Sequence, residues 1–311
     1  MNALDADGLR AWIVDGHDAA VRPSCGDTTD DVLRILLSSR FRKGSLEAMD
    51  VDAFVARARP LLDATVRRGA PVRLTVVAFP FKVPNPDAVG SRTLPDLAEA
   101  AALRRFVALD AAVRSVYPPG IEVVVIHDGT WIGPCLGVAV EHACAYTEYF
   151  ARMVDLAGLG SLVRTVHLLD VLPHEARELG SSCVRADGDC SIVDPSLVRK
   201  TLGLLDVQKV EDVERAARTY AALDAIRRRF DPRPVLFPDA IHVATGMRPG
   251  RLALWLVRRG DSMLPWYGVG VLDARGHASV KPLRHVERVG GYEAVHLDGE
   301  TTPFCYTRAA G

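Results

Sequence analysis

VRLTVVAFPFKVPN, Val72 to Asn85, decides how this chain folds. Its first eight residues, Val72–Phe79, are nearly all apolar and rich in β-branched side chains. That pattern marks a strand buried on both faces rather than one with a wet side. Pro80 and Pro84 end it, because proline has no N–H to give the ladder. Two similar runs follow, IEVVVI (Ile121–Ile126) and VRTVHLL (Val163–Leu169). Helical periodicity fills the gaps: Asp96–Val116 keeps Leu97, Ala101, Phe106, Leu109 and Val113 near one face, and Glu141–Leu156 behaves alike. Strand, helix, strand, helix predicts a mostly parallel sheet joined by crossover helices.

Working outward, residues 1–45 read as a helical lead-in. A long amphipathic helix is expected over Val207–Phe230, broken by Asp231–Pro234 (DPRP). Ile241–Ala244, Leu252–Val257 and Val269–Leu272, separated by glycine-containing turns, read as hairpin-like strands, so residues 231–311 form a β-rich C-terminal part. The fold class is α/β: a Rossmann-like, mostly parallel sheet with flanking helices, in a single domain over residues 1–311.

Composition bounds the partners. The 311 residues are 49% hydrophobic and 25% charged with a net charge of −1, enough for a full-sized core. No basic block exists to hold nucleic acid or an anionic membrane surface. The acidic opening MNALDADGLRAWIVDG lacks the pattern of a signal peptide, and no apolar run approaches the ~18 residues of a membrane span. The expected location is cytoplasmic. Six scattered cysteines with no C-x-x-C pair read as reduced thiols.

Lys82 is the residue to explain. The chain has five lysines among its 38 Lys and Arg residues, so position 82 was filled against the local odds. Ligands of parallel α/β sheets sit at the carboxyl ends of the strands, where this loop emerges. Lysine there binds an anion and, unlike arginine, can surrender its proton. A solvated loop lysine contributing little to the core is the plain alternative. Asp96 and Glu99 have one too, as the acidic start of a helix, with Thr93 and Asp96 in capping-box relation and Pro95 in the first turn.

F-P-x-K-x-P-N (Phe79–Asn85), L-P-D-x-x-E (Leu94–Glu99), Y-P-P-G (Tyr117–Gly120) and D-G (Asp128, Gly129) together resemble the isonitrile synthase family, that of pyoverdine and dityrosine biosynthesis proteins. The likeness is densest over residues 72–150. It implies an enzyme that joins the α-amine of an aromatic amino acid to ribulose 5-phosphate, leaving one sugar carbon on nitrogen as an isonitrile. No metal and no organic cofactor is implied. A pairing with an iron/2-oxoglutarate oxygenase encoded nearby would fit such chemistry. Under the resemblance Lys82 contacts phosphate or moves a proton, and Asp128 with His127 supplies acid and base. Asn85, Asp96, Glu99, His242, Trp266 and Tyr267 bind substrate.

The departures matter as well. Pro134 stands near a second family aspartate. His242, Ala244 and Gly246 replace arginine, serine and histidine of one motif, and Tyr267 replaces a histidine in L-P-W-Y. Losing a guanidinium and two imidazoles should change anion recognition and proton transfer. A substrate pair other than tyrosine or tryptophan with ribulose 5-phosphate is therefore expected. An N-formyl or rearranged product, or a metabolite-binding homologue without turnover, stays open. Cys183 and Cys190 with Asp187 and Asp189 match no standard zinc spacing. No G-x-G-x-x-G or G-x-S-x-G is present.

Overall fold

Strand β1 (Val72–Val77) lies inside a four-stranded parallel sheet, as its two-sided apolarity requires. The structure is a computed structural model describing residues 5–15, 27–185 and 213–308, apart from Ser262 and Asp298. Strands β2 (Ile121–His127), β3 (Val163–His167) and β4 (Ile241–His242) complete the sheet in the order β3-β2-β1-β4. Register runs from Val72↔Ile121 to Val77↔Ile126 and from Val123↔Val163 to His127↔His167. Leu74, Val76 and Val123–Ile126 are almost wholly buried and form the middle of the core. The helices Leu97–Arg114 and Val140–Leu156 make the crossovers. The chain steps from β1 to β3 in one direction and then returns to β4 on the other side of β1. Loops diverge there, which opens a crevice at the carboxyl ends.

Two expectations are corrected here. The Ile241 segment is no hairpin strand: β4 pairs in parallel with β1, Leu74↔Ile241, because the helix Val213–Arg229 carries the chain back across the sheet. Leu252–Val257 forms only isolated bridges, Ala244↔Ala253 and Arg42↔Leu254. The predicted helix from Val207 is described from Val213 onward, and the Cys190 end of the acidic loop lies outside the described residues.

A second sheet supplies the β-rich end. It holds β5 (Val269–Leu272), β6 (Ala278–Lys281), β7 (Tyr292–Val295) and β8 (Cys305–Arg308) in the order β6-β5-β8-β7. Gly270 of β5 presses on the start of Leu97–Arg114, where a Cβ would lie 2.6 Å from Leu97 Cβ and 2.7 Å from Ala98 N. Only glycine lets the two layers approach so closely. The lead-in helices Ala6–Asp15 and Thr28–Leu37 bury Leu9, Ile13, Ile35 and Leu36 in the same core. Among the described residues, no helix is long and apolar enough to cross a membrane.

Candidate active site

Just past β1, Phe79 adopts φ 56°, a left-handed conformation that costs an L-residue about 1–2 kcal/mol. Packing fixes it. The ring stacks on Phe150 at 4.6 Å, and the carbonyl accepts from His127 Nδ1 at 2.7 Å. Beyond this kink Pro80, Phe81 and Val83 line a cavity of about 270 Å³, while Lys82 between them does not.

That cavity lies at the divergence of β1 and β4. Asp128 enters from the end of β2, and Thr245 and Gly246 from beyond β4. Trp266 and Tyr267 form an aromatic wall, with Trp266 edge-on to Phe79 at 5.3 Å. Gly129 lets the loops after β1 and β2 touch: a Cβ there would lie 2.0 Å from the Pro80 carbonyl oxygen. A larger cavity of about 820 Å³ over β6 contains none of the motif residues, so the smaller one is the candidate site.

Asp128 precedes the short helix Gly129–Ile132 without capping it, which leaves its carboxylate for the cavity. Burial pushes its pKa up, Arg227 pulls it down, and Asp224 pushes it up again. Arg227 Nε lies 3.6 Å from Asp128 Oδ2, beyond hydrogen-bond length, and has no hydrogen-bond partner among the described residues. Asp224 binds Arg227 and Arg228 through one oxygen each. Burial opposes its charge, yet the two guanidiniums hold its pKa below the usual carboxylate range. Tyr220, Asp224, Arg227 and Arg228 share the helix Val213–Arg229, and Arg248 completes the floor. Motif reading missed these residues. Their signal was a polar i, i+4, i+7 stripe (Tyr220, Asp224, Arg227) on a helix bound for the core.

Lys82 is not a loop lysine in water; its side chain is fully buried. Nζ lies 3.1 Å from Asp96 Oδ1 and 2.9 Å from Glu99 Oε2, and it donates to the carbonyls of Pro265 at 2.9 Å and Gly268 at 3.0 Å. Glu99 also accepts from Tyr146 Oη at 2.8 Å. The network ties the β1 loop, the helix Leu97–Arg114 and the start of the second sheet together. Asp96 and Glu99 belong to it and not to the cavity lining. They form the capping box themselves, with Asp96 N donating to Glu99 Oε2 at 2.8 Å and Ala98 N to Asp96 Oδ1 at 2.6 Å, so Thr93 is not the cap. Burial lifts the Glu99 pKa to about 7 against the pull of Lys82.

Three further expected residues also stand off the cavity. Asn85 caps the short helix Pro86–Val89, accepting from Asp87 N at 3.0 Å. His127 is buried behind Asp128; burial lowers its pKa to about 4 and keeps it neutral. Its Nδ1–H is given to Phe79, and Nε2 has no partner among the described residues. His242 meets Thr75 Oγ1 at 2.8 Å through Nδ1 and lines a different cavity, of about 280 Å³, with Phe54 and Arg57. Asp128, Trp266 and Tyr267 are the expected residues that the fold does bring together.

The family model for the pyoverdine/dityrosine biosynthesis protein matches residues 62–222, more than half of the chain. An L-tyrosine isonitrile synthase of Pseudomonas aeruginosa is 25% identical over 293 residues, covering 85% of this chain and 88% of that protein. Isocyanide synthase A of Aspergillus fumigatus is 27% identical over 194 residues, or 60% of this chain; the match spans only 31% of that longer protein. The crystal structure of the PvcA protein from Pseudomonas aeruginosa superposes with a TM-score of 0.71 at 23% identity, covering 90% of this chain and 99% of that one, a likeness of fold.

Proposed function

The chain belongs to the pyoverdine/dityrosine biosynthesis family, and from that premise we propose that the Asp128 cavity is the active site of an isonitrile-synthase-type enzyme acting on the α-amine of an amino acid. Its relatives named above are isonitrile synthases of secondary metabolism, and the chain shares that general biosynthetic role. The carbon donor is a ketose phosphate, with ribulose 5-phosphate the one the resemblance implies. The observation that carries the reading is two kinds of recognition in one cavity. Trp266, Tyr267 and Phe81 give a wall for an amino-acid side chain, and Arg227, Arg228 and Arg248 give a floor for phosphate.

The amine attacks the ketone carbon with its lone pair, and the carbonyl π electrons move to oxygen. That oxygen takes up two protons in turn and leaves as water while the nitrogen gives up two, giving the imine. Asp128 accepts the proton from nitrogen and returns one to oxygen, a task suited to a carboxyl whose pKa burial has raised. Later loss of phosphate is favoured by guanidiniums that stabilise the departing dianion. The His242 replacement bears less on anion recognition than the motif implied, because His242 lines another cavity and three arginines serve this one. One observation favours a non-isonitrile product. Tyr267 occupies the histidine position, and burial pushes its pKa up to about 12, so it does not ferry protons near neutrality.

The test is a set of incubations with ribulose 5-phosphate carrying ¹³C and a panel of amino acids, read by product mass. A labelled carbon attached to the amino-acid nitrogen is expected. Consumption of an amino acid with no label incorporated would refute the ketose phosphate as donor.

A further inference from the structure

The guanidinium lining does not stop at the cavity. Arg227, Arg228 and Arg248 also border a second crevice, of about 220 Å³, that ends at Arg233 and Arg251. Its charges do not balance. Five guanidiniums (Arg227, Arg228, Arg233, Arg248, Arg251) face three carboxylates (Asp128, Asp224, Asp231), so 5 − 3 leaves two positive charges. Asp224 answers Arg227 and Arg228. Asp231 answers Arg233, with Nη2 to Oδ2 at 2.7 Å, while Arg233 Nη1 donates to the Val243 carbonyl at 3.2 Å.

The remainder is Arg248 and Arg251. Arg251 reaches Asp231 only at 3.7 Å, and the Arg248 side chain has no ion pair or hydrogen bond among the described residues. Burial and neighbouring cations lower the pKa of both, so each sits where an anion would relieve it. The Arg227 side chain is 16% exposed, and those of Arg251 and Arg228 are 37% and 50% exposed, so the crevice reaches solvent. An oxyanion released beside Arg227 meets further guanidiniums in this crevice, whereas Trp266 and Tyr267 line only the substrate cavity.

We propose that this crevice is a phosphate site outside the substrate cavity, through which the phosphate released from the sugar leaves, passing from Arg227 to Arg248 to Arg251. The release role rests on the ketose-phosphate reading above; the binding site does not.

The experiment titrates inorganic phosphate into the full-length protein and its Arg251→Gln and Arg248→Gln variants by calorimetry. It then compares single-turnover with steady-state rates. A charge-assisted contact to phosphate contributes about 1.5–3 kcal/mol, so each variant should bind phosphate roughly tenfold to a hundredfold more weakly. Arg251→Gln should slow steady-state turnover while leaving the first turnover near the wild-type rate. Wild-type phosphate affinity in Arg251→Gln overturns the proposal whatever Arg248→Gln does, because Arg248 also lines the substrate cavity and Arg251 does not. Arg251-dependent phosphate binding in a protein that consumes no ketose phosphate supports the site and sinks the reading of the substrate.

Discussion

Replacing Lys82 by alanine tests the account of the motif lysine most directly. The change removes an ammonium held within 3.1 Å by Asp96 and Glu99 and leaves two carboxyl groups at 1% exposure or less with no cation. The Pro265 and Gly268 carbonyls lose a donor as well. Removing one partner of a buried ion pair typically costs about 3–5 kcal/mol. At the ~2–4 °C per kcal/mol usual for chains of this size, the melting temperature should fall by roughly 10 °C. The assay is thermal unfolding by circular dichroism at pH 8, above the pKa of about 7 that Glu99 has beside Lys82; losing Lys82, which holds that pKa down, pushes it higher. Restoring neutrality should recover much of the loss, so Lys82→Met combined with Glu99→Gln should melt above Lys82→Met alone. A Lys82→Ala protein melting within 2 °C of wild type would refute the structural role and return Lys82 to the list of catalytic candidates.

Other expectations are separate. Glu99 binds its proton more tightly folded than unfolded, so it stabilises the fold more as pH drops from about 7 towards 4.5. His127 and His242, lowered to about 4, do the reverse and remove stability between about 6.5 and 4. Glu99→Gln should therefore make acid destabilisation steeper over that window; an unchanged slope in a pH series of melting curves counts against the burial of Glu99. Asp128→Asn should cut turnover by about 10²–10⁴ with a small change in melting temperature, and activity above a tenth of wild type would exclude it as the acid–base group. Trp266→Ala should raise KM for the amino acid and leave KM for the ketose phosphate alone; equal effects on both would place Trp266 in the scaffold. Gly129→Ala meets backbone at 2.0 Å, so it should cost about 2 kcal/mol in denaturant unfolding, and neutrality would show that the two loops can part.

The sequence by itself determined three of the four strands of the parallel sheet, β1, β2 and β3. Runs such as Val72–Val77 and Ile121–His127 carry the signature of two-sided burial in most of their residues, and a strand buried on both faces has few ways to be covered except by crossover helices. Motif order also pointed to Asp128 and to the Trp266–Tyr267 wall, since both sit where strands or short turns deliver them directly. What Lys82 does was decided only in three dimensions. Its partners lie 14, 17, 183 and 186 residues away along the chain, and nothing local reveals that the loop kinks at Phe79 and turns the amine inward. The arginine floor was hidden for the same reason. Arg227 and Arg248 come from a helix and a turn that meet only because β4 returns beside β1, and periodicity records which face of a helix is buried without naming what the other elements bring to it.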